Sequence, residues 1–154
     1  MKPALSIEFT LLRSVRVPRG LYSPFDLEAL ALFTLQAERV RGLAQISLDL
    51  TGHDRIRRLN RRFRGVDRTT DVISFRNDES RGRSNVEGDI AINVAQAGLQ
   101  AKKMRHPHRR ELRLLWIHGL LHLVGYTDYE PLPRRKMFKR QNELLCRWEK
   151  RSDR

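Results

Sequence analysis

Two histidines four residues apart, His118 and His122, and an aspartate six residues further on, Asp128, are the side chains here best suited to holding a metal. At ~100° per residue, the imidazoles stand about 40° apart around a helix axis, one turn above the other, so both can reach one ion. A carboxylate from Asp128 closes a His-His-Asp set and leaves a fourth position for water or substrate. The competing reading is a pair of hydrogen-bonded core histidines, with Asp128 merely capping the turn after Gly125. Against it, the stretch from Leu114 to Val124 is apolar nearly all round, as in a buried helix, and offers an imidazole no polar partner. One shared ion satisfies both rings. Gly119 stands where a zinc peptidase of the H-E-x-x-H type carries its glutamate, so the general base of that class is missing.

The rest of the chain must position these groups. Ile7, Phe9 and Leu11 alternate with polar residues and read as a half-buried strand over Leu5 to Leu12. Ser23-Pro24-Phe25-Asp26 is a helix start, and the helix runs to about Arg41, where Gly42 stops it. Ala44 to Leu50 alternates again. Thr51 caps a second helix, Asp54 to about Phe63, with Ile56, Leu59 and Phe63 inward and arginines on its other faces. Such a run is usually a solvated face. Asp71 to Phe75 and Val86 to Val94 read as strands, separated by a polar loop from Arg76 to Asn85 whose composition suits a mobile flap. Helices follow over about Val94 to Met104, from Pro107 into the histidine helix, ended by Gly125 in a left-handed cap, and over Pro133 to Trp148. These elements predict one α+β (mixed α/β) domain over residues 1–154, a single four-stranded sheet with about five helices, and fraying from about 150 to 154.

Composition narrows the partners. Lys and Arg total 31 against 18 Asp and Glu, a net charge of +13, with a pI near 11.1. A polyanion follows, nucleic acid ahead of a membrane surface. Cys146 is the single cysteine, so no intrachain disulfide can form, which suits a reducing compartment. No apolar run approaches a membrane span, and Glu8 interrupts the N-terminal one, so a cytoplasmic protein is expected.

Three blocks carry a family resemblance. Leu59 to Phe75, LNRRFRGVDRTTDVISF, resembles the pattern L-N-x-x-[YF]-R-x-x-D-x-P-T-[DN]-V-L-S-F of the YbeY family of metal-dependent endoribonucleases. Gly88-Asp89-Ile90-Ala91-Ile92 resembles its G-D-I-x-I strand, and His118 to Tyr126 the opening of its H-G-x-L-H-L-x-G-Y-D-H. The resemblance implies a zinc-type ion, one per chain, and cleavage of single-stranded RNA. It also implies a role in ribosomal RNA maturation, at the 16S 3′ end, and in ribosome quality control, with the small subunit and its associated proteins as partners. The family's metal histidines fall on His118 and His122, and its active-site arginine on Arg64; without the motif, Arg64 reads as a charge offsetting a helix dipole. Arg61, Lys102, Lys103, Arg105, Arg109 and Arg110 are the candidate RNA contacts. A monomer is expected.

The departures are local. Asp128 stands at the third histidine and Thr127 at the preceding aspartate; Thr69 replaces a proline, and Arg76 stands where proline commonly follows Phe. Aspartate is an acceptable zinc ligand and favours harder ions such as Mn²⁺ somewhat more, with Ni²⁺ also admissible. Two other functions compete: a non-catalytic basic ribosome-associated protein with a structural or vacant metal site, and a metallohydrolase of peptides or small molecules. Gly119 and the charge weigh against the second.

Overall fold

The computed structural model describes residues 4–77 and 82–152. Period-two alternation turns one apolar row of each strand to a common face. On β1 (Leu5–Arg13) the row is Ile7, Phe9 and Leu11, and on β2 (Gly42–Thr51) it is Ala44, Ile46, Leu48 and Leu50. On β4 (Glu87–Asn93) it continues with Gly88, Ile90 and Ile92, in register with Ile46, Leu48 and Leu50. The edge strand β3 (Val72–Arg76) adds Val72, Ser74 and Arg76, opposite Ile92, Ile90 and Gly88. The sheet order is β1-β2-β4-β3, with the first two pairings parallel and the last antiparallel. The expected mixed α/β architecture, one four-stranded sheet and five helices, is what the described residues adopt.

The apolar face carries the main core, built with α1 (Pro24–Ala37), α4 (His108–Leu123) and α5 (Pro131–Ser152). Trp116 fixes α4 there: its ring meets Phe9 at 5.8 Å and its indole N–H donates to the Leu27 carbonyl at 2.9 Å. The opposite face is covered by α2 (His53–Arg64), whose Ile56 packs on Ile73 and Ala91. The remaining helix, α3 (Val94–Met104), is capped by Asn93, whose side chain accepts from the Gln96 N–H at 3.1 Å.

Several boundaries differ from expectation. α1 ends at Ala37, not Arg41, because Arg39 turns left-handed (φ 61°) and the Val40 N–H closes on the Leu35 carbonyl, tucking Val40 into the core. Thr51 does not cap α2. It belongs to β2, Gly52 is the cap, and the buried Thr51 hydroxyl has no hydrogen-bond partner among the described residues. Phe63 is not part of the buried stripe: it is 56% exposed, and its ring stacks on Phe75 at 4.8 Å. β4 begins and ends one residue inside the expected span, whereas α5 is longer than expected and continues through Ser152. Residues 78–81 of the expected flap, and 153–154 of the expected frayed tail, lie outside the described residues. The described end of that loop is tied down: Asn85 N–H donates to the Arg41 carbonyl and Arg41 N–H to that of Arg83.

Candidate metal centre

His118 and His122 occupy successive turns of α4, and each ring is held through Nδ1. The Nδ1 of His118 lies 2.6 Å from Oε1 of Gln141 on α5, and that of His122 lies 3.0 Å from the Tyr126 carbonyl. Both partners accept, so both Nδ1 atoms carry the hydrogen and both Nε2 atoms present a lone pair. The Nε2 atoms are 3.1 Å apart, and Asp128 Oδ2 lies 3.4 Å from one and 3.5 Å from the other. Two lone pairs and a carboxylate converging on one point repel one another unless a cation stands among them. Burial, and then the neighbouring His118, holds His122 below the ordinary imidazole range, which disfavours an imidazolium at His122 as that cation. A divalent metal fits the set, one donor atom each from His118, His122 and Asp128.

The turn that brings Asp128 back follows from Gly125, whose φ of 106° a side chain would resist. Tyr126, the next residue, gives His122 its carbonyl, while its hydroxyl donates to the buried carboxylate of Glu38 at 3.1 Å. Arg140 on α5 holds the same carboxylate at 2.6 Å. Arg134 donates to the Asp128 carbonyl at 3.0 Å. The donor loop is thus pinned to α1 and α5 rather than left to hang from α4.

Arg64 is the last residue of α2, before the left-handed cap at Gly65. Its guanidinium donates to the Ser74 carbonyl at 3.4 Å, and it lines a cavity of about 290 Å³ together with His122, Tyr126 and Tyr129. Arg76, at the position where proline was the expectation, spans this wall by donating to the Leu123 carbonyl at 2.9 Å. Thr69, at the other replaced proline, accepts from the Asn93 amide at 3.0 Å and so holds the loop after α2 to the start of α3.

Gly119 points into the sheet. A Cβ there would lie 2.8 Å from Ile90 Cγ2 and 3.1 Å from the Ser74 hydroxyl. No glutamate fits, so the missing general base is a packing requirement of this helix.

The expected RNA contacts divide into two groups. Arg61 is exposed on α2 one turn before Arg64. Lys102 and Lys103 are exposed on the last turn of α3, and Arg105 follows in a left-handed cap. Arg109 is tied to the Gly20 carbonyl, and Arg110 pairs with Glu149 at 3.1 Å. Twelve residues of α4 separate Arg110 from His122, roughly 18 Å at 1.5 Å per residue. The second group therefore lies at the far end of α4 from the donors.

Sequence reasoning missed Gln141 and Glu38. Gln141 carried a readable signal: it falls on the apolar stripe of α5 with Met137, Leu144, Leu145 and Trp148, and a polar residue on such a stripe needs a buried partner.

The family model described as Endoribonuclease YbeY matches residues 25–149, a span that includes Arg64, His118, His122 and Asp128. The chain is 39% identical over 133 residues to the Endoribonuclease YbeY of Frankia alni, covering 80% of this chain and 74% of that protein. It is 35% identical over 130 residues to the protein of the same name from Bacillus subtilis, covering 78% and 82%. Among solved structures, the solution structure of TM1509 from Thermotoga maritima matches with a TM-score of 0.62 at 27% identity, covering 95% of this chain and 93% of that one.

Proposed function

The chain belongs to the YbeY endoribonuclease family, and on that premise we propose that it cuts single-stranded RNA at an ion held by His118, His122 and Asp128. The observation that carries this reading is the shared cavity of about 290 Å³, whose lining includes both His122 and Arg64. A phosphate that reaches the donors there also meets a guanidinium. A bound divalent ion supplies Lewis acidity toward a phosphoryl oxygen. Arg64 neutralises the charge that develops as the phosphorane forms, with its orientation set by the Ser74 carbonyl.

Zinc is the proposed ion, one per chain. Donor separations of 3.1, 3.4 and 3.5 Å are close to the roughly 3.3 Å edge of a tetrahedron with bonds of ~2.0–2.1 Å. The carboxylate also admits Mn²⁺, and the imidazoles Ni²⁺. The net charge of +13 supports a polyanionic substrate, with Arg61 steering the strand at the site and the Lys102–Arg110 group engaging it further along.

The substrate proposed is ribosomal RNA, at the 16S 3′ end and in ribosome quality control, with the small subunit and its proteins as partners. The protein is proposed to act as a cytoplasmic monomer. Among the described residues no helix is long and apolar enough to cross a membrane.

The test is cleavage of single-stranded RNA by the zinc-loaded protein and its Arg64→Ala variant. The variant is expected to lose about 10²–10³-fold in rate while keeping its melting temperature and metal content. Equal rates would remove Arg64 from the mechanism. RNA binding by wild type without metal-dependent cleavage would replace the nuclease reading with that of a non-catalytic RNA-binding protein.

A further inference from the structure

Tyr129 follows the donor Asp128 and is 72% exposed, yet it lines the same cavity as His122 and Arg64. The three tyrosines differ sharply in how they are used. Tyr22 packs against the core, and Tyr126 spends its hydroxyl on Glu38 and lies under Lys136 at 5.9 Å. Tyr129 makes no hydrogen bond or ring contact with any other described residue.

Its mount is stiff all the same. The Arg134 side chain holds the carbonyl of Asp128 just before it, and Pro131, which opens α5, restricts Glu130 just after it. An exposed aromatic ring with no partner of its own among the described residues, on a backbone tied down just before it and lining a cavity shared with Arg64, has the features of a stacking surface.

We propose that Tyr129 is the stacking platform for an unpaired nucleobase adjoining the phosphate at the donor group, and so a determinant of single-strand selectivity. The proposal rests on the ribonuclease reading above. A phosphate between the donors and Arg64 leaves the neighbouring base within reach of the ring. Stacking requires a base face that is free. In an A-form duplex both faces are already covered by neighbouring base pairs, so the contact is available only to single strands, bulges and ends.

The experiment is a cycle between protein and RNA. Wild type, Tyr129→Ala, Tyr129→Leu and Tyr129→Trp, each zinc-loaded, are titrated with short single-stranded RNA by fluorescence anisotropy, and initial cleavage rates are measured. A second oligonucleotide lacks one base beside the cleaved bond. Tyr129→Ala and Tyr129→Leu are expected to weaken binding about five- to a hundredfold and Tyr129→Trp to retain it. The abasic change should cost wild type a similar factor and cost Tyr129→Ala nothing further. Zinc content should be the same throughout.

A Tyr129→Ala protein that binds and cleaves like wild type overturns the proposal and leaves the ribonuclease reading standing. Loss of zinc from Tyr129→Ala and Tyr129→Leu alike also overturns it, since the residue then serves to hold the donor loop. A wild type that neither binds nor cuts RNA defeats the ribonuclease reading itself.

Discussion

The Nδ1 of His118 and the amide oxygen of Gln141 lie 2.6 Å apart in the interior, bridging α4 and α5. That contact fixes which nitrogen of His118 carries hydrogen and therefore which one faces Asp128 and His122. The two rings are oriented by different means, one by a side chain and the other by a backbone carbonyl. Only the first can be removed by substitution.

Gln141→Leu keeps the volume and removes the acceptor. Zinc affinity is expected to fall about ten- to a hundredfold, the usual cost of losing an outer partner of a histidine ligand. Competition with a chromophoric chelator measures it. An unchanged affinity would mean that packing against Phe138, whose ring lies 5.9 Å from that of His118, orients the imidazole instead.

Asp128 gives a donor set one charge more negative than three histidines would. Asp128→Ala is expected to cost more zinc affinity than Gln141→Leu, because a ligand is lost rather than its support. Asp128→His should retain zinc and bind Mn²⁺ less well relative to zinc than wild type does. Metal analysis after equilibration with both ions decides it. If Asp128→Ala holds zinc as tightly as wild type, a different third donor is in use.

The clustering of His118, His122 and Asp128 was legible because imidazoles four apart on a helix and a glycine reversal just after bring the three side chains together. The sheet was legible because alternation in Ile7–Leu11, Ala44–Leu50 and Ile90–Ile92 leaves few other readings. What the sequence hid came from tertiary context. The early end of α1 depends on burying Val40, and the exposure of Phe63 on which part of β3 lies beneath it. The reason for Gly119 depends on the distance between α4 and β4, which no local pattern encodes.

Gly119→Ala sets helix propensity against packing. Alanine gains about 1 kcal/mol over glycine inside a helix. The added methyl would meet Ile90 Cγ2 at 2.8 Å and the Ser74 hydroxyl at 3.1 Å, and overpacking of this kind costs about 1–3 kcal/mol. Both Ile90 and Ser74 sit on the sheet that supports α4, so the clash should win and the melting temperature should fall. A rise in melting temperature would show that α4 lifts away at little cost, and zinc affinity would then report whether the donors moved with it.

Glu111, buried in the first turn of α4, offers a test through pH. Burial, with Asp71 adding to it, raises its carboxyl above the ordinary range, while His106, with Nε2 3.0 Å from Oε2, opposes the shift. The folded chain then holds this proton more tightly than the unfolded chain does. The resulting stability is complete below the unfolded value and is lost as pH rises through the raised folded value. Glu111→Gln cannot ionise and escapes that loss. As pH rises from the ordinary carboxylate range upward, the melting temperature of wild type is expected to fall relative to that of the variant. A gap that widens in wild type's favour would mean that the pairing with His106 outweighs burial and that the carboxylate is the form the fold prefers.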